Sequence, residues 1–280
     1  MVRSAYRIFI AAPSTRFMPR YFLELAYDGK SFHGYQVQPD RYTVQQAVEE
    51  ALATALRQAV RTQASGRTDT GVHAEQQFVH FNLNTPLTDS RLVQRLNGLL
   101  PDSVRVHALY SPRPQKLHAR FHALSRRYRY RLSYRPLPLE RHLRVHMLGD
   151  IRLEAMQQAS AFLPQYIDFA SFCKAHGGNH TTLCQILDVQ WRERPEEGTL
   201  DFEIEANRFL RGMVRGIVGL LLEIGRGKYP PEHMAQVLDA RNRQAAGPQA
   251  PPQGLSLYRV RYPAGSLFPL QWMGHPPTFP

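Results

Sequence analysis

Cysteine is scarce in this chain of 280 residues: Cys173 and Cys184 are the only two. That excludes a disulfide framework and fits a reducing compartment. No apolar run approaches the roughly 18 residues that a membrane helix needs; the longest candidate lies between Ile217 and Ile224. Gly-rich phosphate loops and the dinucleotide-binding fingerprint are absent, so no nucleotide cofactor is expected. Lysine is also rare, with 4 residues against 31 arginines. Acids are missing from the first 23 residues, which carry four arginines. The apolar core at Ile8–Ala12 is too short for a signal peptide. Residues 1–19 therefore read as a disordered or spurious extension; an organellar transit peptide, or a leader ahead of a true start at Met18, fits the same composition. Cysteine use and the missing signal make a cytoplasmic location the expectation.

What is present is positive charge. The formal net charge is +12, and 43% of the residues are hydrophobic. A chain of this size and composition is globular and buries a large core without a metal or disulfide. The charge is clustered. Residues 113–144 hold ten Lys/Arg and one acid, Glu140, supplying +9. Arginine forks grip phosphate and stack on bases, and here they lie beside tyrosines, so nucleic acid is the expected partner.

Hydrophobic periodicity, without strict βαβ order, lays out an α+β chain in two similar halves rather than a doubly wound fold. Strands are expected at Tyr21–Tyr27, Gln77–Asn82, Val104–Tyr110, Arg126–Tyr134, Asp201–Ala206 (half-exposed, with alternating acids) and Leu257–Tyr262. Thr43 and Gln46 form a capping box ahead of a helix through Leu56. Further helices are expected at Ser90–Leu100, Leu153–Phe162, Leu210–Gly225 and Pro231–Ala240. Asp28-Gly29 makes a turn. Gly247–Gly254 is a loop, and the chain from Pro263 shows no period. The expected division is 20–115 for an N-terminal half, 116–265 for a C-terminal half, and 266–280 for a tail.

Four groups of residues could carry chemistry. Gly66–Ala74 contains Arg67, Asp69 and His73 between glycines, which is not core composition, although Asp, Thr and Gly also make ordinary turns. Asp69-Thr70-Gly71 is also the tripeptide of aspartic proteases. With one copy, a protease would need a homodimeric site, and a nearby arginine would disturb the shared proton. In the Arg126–Tyr134 strand, Tyr128, Tyr130, Leu132 and Tyr134 share one face while Arg127, Arg129 and Arg131 share the other. Tyr128, at the strand start, could reach a cleft. Arg208, Arg211 and Arg215 fall on one helical face by spacing. Arg215 lies in an apolar stretch and needs an anionic partner, for which Asp69 is a candidate. Cys173, His176, His180 and Cys184 have zinc-ligand types but lack paired half-sites, so no metal is expected.

These blocks resemble the tRNA pseudouridine synthases of the TruA type. Tyr27-Asp28-Gly29 with Phe32, Gly34, Gln36 and Gln38 is similar to the family's first block, and Gly66–Ala74 to its catalytic loop. His118-Ala119-Arg120-Phe121 with Arg127–Tyr130 is similar to the second block, and Phe209–Arg215 to the third. Thr70, Tyr35 and Leu117 depart from the commonest family residues without touching the expected catalytic groups. The resemblance implies two similar α+β halves with mixed, mainly antiparallel sheets flanking a central basic cleft, a homodimer, and a tRNA substrate lying across both subunits. It implies conversion of uridine to pseudouridine at positions 38, 39 and 40 of the anticodon stem-loop, with no cofactor. It further implies Asp69 as nucleophile, kept ionised by Arg215, with Tyr128 stacking on uracil and able to move the C5 proton. Arg67 would enter the space left by the base, with Arg127, Arg129 and Arg211 binding substrate. A non-catalytic RNA-binding protein is the main alternative.

Overall fold

The computed structural model describes residues 18–173 and 181–273. The elements in chain order begin with β1 (Arg20–Tyr27), α1 (Val44–Leu56), β2 (Gln63–Ala64), β3 (His73–Asn82), α2 (Leu92–Leu99) and β4 (Val104–Pro112). There follow β5 (Ser125–Ser133), β6 (Val145–His146), α3 (Leu153–Ser160), β7 (Ile186–Arg194) and β8 (Thr199–Ala206). The last are α4 (Met213–Gly225), α5 (His233–Ala240), β9 (Leu255–Arg261) and β10 (Leu267–Trp272).

One sheet runs through the molecule in the order β10-β4-β1-β3-β9-β5-β8-β7, with β2 on β3 and β6 on β5. Most pairings are antiparallel. The parallel exceptions are β5 with β6, and the short contact of β3 with β9, where His73 faces Ser256 and Ala74 faces Leu257. That contact joins the strands of the first half to those of the second. The α+β class with a mixed, mainly antiparallel sheet is therefore the observed fold.

Local sequence accounts for most elements. The Thr43 hydroxyl accepts from the Gln46 N–H and starts α1. The reciprocal arm of the capping box is missing, because the Gln46 side chain donates to Glu50 instead. Apolar residues of α1 and α2 pack together, and α2 lies on β4. In the second half α3 and α5 pack on α4, whose residues are nearly all buried. A helix apolar on every side belongs in a core, and burial of each large side chain is worth about 1.5–3 kcal/mol.

Four expectations need correction. The strand of alternating acids is not half-exposed: β8 is buried along its whole length. Register explains this, since Arg127 stands opposite Glu205, Arg129 opposite Glu203, and Arg131 opposite Asp201 on the neighbouring strand. Cross-strand cations cover the carboxylates that alternation would place in water. The helix begins at Met213 rather than Leu210, because Gly212 has φ +72° and breaks the chain there. Arg208 and Arg211 thus precede the helix, and only Arg215 lies on it. The tail contributes β10, which pairs with β4; Pro269 is tolerated because this is an edge strand. Strand β7 also forms where no strand is expected.

Residues 1–17, His176 and His180 lie outside the described residues. Cys184 is buried, and burial pushes its thiol up to about 11. No group of three or more metal-ligating side chains occurs among the described residues. No described helix is long and apolar enough to cross a membrane.

Candidate active site

The loop between β2 and β3 carries Asp69, and its position is set by backbone contacts. Tyr35 N–H donates to the Thr68 carbonyl at 3.1 Å, and Val72 N–H closes a turn on the Asp69 carbonyl at 3.1 Å. Gly34 makes the first of these possible. Its φ is +86°, and a Cβ there would stand 2.9 Å from the Thr68 oxygen. Below the loop the buried Tyr27 hydroxyl bonds the Thr68 hydroxyl at 2.8 Å. The loop is therefore held on both sides without using the Asp69 carboxylate.

That carboxylate meets two guanidinium groups from the second half. Arg211 Nε is 3.6 Å from one oxygen, and Arg215 Nη1 is 3.7 Å from the other. Arg215 occupies the first turn of α4, so the positive end of the helix dipole adds to its charge. Its Nε donates to the Ala250 carbonyl at 2.7 Å, which fixes the direction of the fork. Both distances to Asp69 exceed a hydrogen bond, so the oxygens keep free lone pairs while facing cations.

Asp69 lies in a cleft of 820 Å³ between the halves. Tyr128 forms part of its wall at the start of β5, edge-on to Phe209 with ring centroids 5.0 Å apart. Burial pushes the Tyr128 phenol well above its ordinary value, and the neighbouring Tyr27 and Asp69 add to this effect. Tyr130 does not reach the cleft wall; its hydroxyl donates to the Pro251 carbonyl at 2.7 Å.

Arginine dominates the lining: Arg67, Arg120, Arg126, Arg208, Arg211 and Arg215. Burial, then the positive charges of Arg120 and Arg211, hold the Arg67 guanidinium below its ordinary value. Among the described residues no carboxylate forms an ion pair with Arg67, Arg120 or Arg208. A group of unneutralised guanidinium groups around one carboxylate is a place for a polyanion.

The structure brings together Asp69, Arg215, Arg211, Tyr128 and Arg67, and it does not bring Arg127 or Arg129 to them. Arg127 bonds Glu205 at 2.7 Å and Asp188 at 2.7 Å, and Arg129 contacts Glu203 at 2.9 Å. Arg131 pairs with Glu75, and Arg144 with Asp201 and Glu140. Arg127 and Arg129, expected among the substrate-binding residues, therefore lie apart from Asp69 and in ion pairs. They face the opposite side of β5 from Tyr128, and their charge is already neutralised. Much of the +9 in residues 113–144 is spent inside the sheet.

Arg126 is a site residue that the sequence reading misses. It shares the Tyr128 face, and burial lowers its pKa. Its guanidinium donates to the carbonyls of Ser65, Ala123, Asn207 and Arg120, tying the Asp69 loop to two segments of the second half. Parity is the available signal, because residues 126, 128 and 130 fall on one face of a strand.

The chain has clear relatives among known proteins. The family model described as tRNA pseudouridine synthase matches residues 167–263. A protein named tRNA pseudouridine synthase A from Parabacteroides distasonis is 42% identical over 256 residues, 91% of this chain and 100% of that one. Its namesake from Bacteroides thetaiotaomicron is 41% identical over 247 residues, covering 88% and 91% of the two chains. That from Porphyromonas gingivalis is 41% identical over 249 residues, covering 88% and 98%. With two-fifths of its residues shared along nearly the full length of such relatives, the chain belongs to the tRNA pseudouridine synthase A family of isomerases.

Proposed function

We propose that the protein converts uridine to pseudouridine at positions 38, 39 and 40 of the tRNA anticodon stem-loop, with Asp69 as the nucleophile. The observation that carries this reading is the Asp69 carboxylate, held in the cleft between Arg211 and Arg215 with its oxygens free of hydrogen bonds at these distances. A structural acid in this protein looks different: Glu203 is fully buried between Arg127, Arg129 and Arg192. A carboxyl is ordinarily ionised at neutral pH, and a free ionised oxygen can attack carbon.

The reaction breaks the N1–C1′ bond, turns the base and joins C5 to C1′. A proton leaves C5 and N1 gains one, so atoms balance without a cofactor. Asp69 attacks C1′ or C6 of the base, or stabilises a glycal route. Tyr128 stacks on the uracil, and its protonated phenol relays the C5 proton, taking it onto oxygen as its own proton passes on toward N1. The target must leave its stack first, and Arg67 fills the space it vacates. Arg211, Arg120 and Arg208 take phosphates. The N-terminal half, 20–115, carries Asp69, and the C-terminal half, 116–265, carries Tyr128 and Arg215. The enzyme works as a cytoplasmic homodimer with tRNA across both subunits.

Incubation with unmodified tRNA followed by pseudouridine mapping tests the reading. Product at 38–40 supports it. Product elsewhere in the tRNA keeps the chemistry and changes the substrate site. Tight tRNA binding with no product favours a non-catalytic RNA-binding protein.

A further inference from the structure

Phe121 is the most exposed aromatic ring among the described residues, at 74%. A phenylalanine left in water forgoes the gain of burial. It lines the same cleft as Asp69, and the Arg120 guanidinium lies 5.9 Å from its ring centroid.

The ring is held in place by its turn. His118 Nδ1 accepts from the Arg120 N–H at 3.1 Å and the Phe121 N–H at 3.4 Å. Because that nitrogen accepts, the proton sits on Nε2, which donates to Gln63 at 2.7 Å. His122 Nδ1 accepts from the His118 N–H at 2.9 Å. From β3, His80 Nδ1 accepts from the Ala119 N–H at 3.2 Å, and Tyr262 donates to the Ala119 carbonyl at 2.6 Å. Arg126 binds the carbonyls of Arg120 and Ala123. The Phe121 ring rests on His118, with centroids 4.3 Å apart and planes 34° apart. One side of the ring is backed by an imidazole, and most of the rest faces solvent.

We infer that Phe121 is a stacking platform for a nucleobase next to the flipped target, with Arg120 on the adjoining phosphate. A rigid, open ring beside a cation suits an unstacked base. A protein partner is disfavoured by its setting, since Arg120 beside it and Arg67 in the same cleft have no carboxylate in an ion pair among the described residues. The inference rests on the tRNA reading proposed above, because it needs RNA in this cleft.

The test measures binding of unmodified tRNA by Phe121→Ala, Phe121→Leu and Phe121→Trp proteins, followed by stem-loops carrying single abasic positions. Phe121→Ala is expected to weaken binding about 5- to 150-fold, the range of one lost base–aromatic stack. Trp restores binding and Leu does not. The loss disappears on the stem-loop missing the stacked base. Restoration by Leu, a loss equal at every abasic position, or unaltered binding by Phe121→Ala overturns the inference. A change of oligomeric state without a change in tRNA binding also overturns it, in favour of a protein contact. Wild-type enzyme is assayed for pseudouridine on the same tRNA. If it makes none, the tRNA reading fails; if it does and Phe121→Ala binds normally, only the stacking inference fails.

Discussion

Arg215 Nη1 stands 3.7 Å from Asp69 Oδ2, across the cleft between the two halves of the sheet. The separation is an ion pair without a hydrogen bond, in contrast to the 2.7 Å contact of Arg127 with Glu205. The short contact uses up the acceptor, whereas the long one leaves it available. The two pairs share chemistry and differ in what the carboxylate can still do.

Arg215 is aimed by the Ala250 carbonyl, which takes its Nε proton. A lysine has no second donor branch, so it cannot hold the carbonyl and face Asp69 together. Arg215→Lys is expected to lower the single-turnover rate by about 10- to 100-fold, in line with a lost charge-assisted contact of about 1.5–3 kcal/mol. Rapid-quench measurement at saturating tRNA checks this, with circular dichroism confirming the fold.

The division of arginines into two groups makes opposite predictions. Arg127→Ala leaves the buried Glu203 and Glu205 short of a cation and should cost about 3–5 kcal/mol of stability. Its tRNA affinity, measured well below Tm, should change little. Arg67→Ala and Arg120→Ala should keep Tm and weaken tRNA binding. Arg120→Ala, which removes a phosphate contact, should also reduce the slope of log affinity against log salt by about one.

Acid should loosen the turn that carries Phe121. Burial, then the charges of Arg20 and His118, push the His80 imidazole down to about 3. The unfolded chain takes up its proton near the ordinary value of about 6.5, while the folded protein resists protonation until about 3. Stability is therefore complete above about 6.5 and falls as pH drops through that window, by up to roughly 2 kcal/mol at pH 5. Urea melts at pH 7 and 5 on wild type and His80→Asn check the sign: the variant should lose part of the pH dependence.

Tyr128→Phe keeps the ring and removes the hydroxyl. Binding of tRNA should be retained while pseudouridine formation slows by about 100-fold or more, the usual range for a lost acid–base group. In wild type the buried phenol stays protonated beyond its ordinary value. The pH–rate profile should then show no tyrosinate limb near pH ~10. A full-rate Phe variant leaves Tyr128 with stacking alone.

Sequence periodicity locates the strands and helices whose apolar residues alternate cleanly, such as β1, β5 and α1. It misses β7, whose residues are mostly half-buried or exposed and show no clear apolar face. It also misses β10, whose Phe268, Leu270 and Trp272 are exposed at the edge of the sheet. Asp69 and Arg215 are legible as partners because an arginine in an apolar helix needs an anion. The misplacement of Arg127 and Arg129 comes from reading charge by segment. Strand parity already sets them on the face away from Tyr128, and Arg126 on the face with it. What the sequence does not display is register, which puts Arg127 and Arg129 each opposite an acid of β8. Likewise, only the left-handed Gly212 separates Arg208 and Arg211 from the helix their spacing implies.

The central claim is that the Asp69 carboxylate does the chemistry and the arginines hold the RNA. Asp69→Asn is nearly isosteric and removes only the anion, so the decisive measurement is pseudouridine formation by this variant at saturating unmodified tRNA, with binding followed in the same preparation. The account predicts undetectable product with tRNA affinity within about threefold of wild type, since base and phosphate contacts elsewhere hold the RNA. Product at a rate near wild type would contradict it.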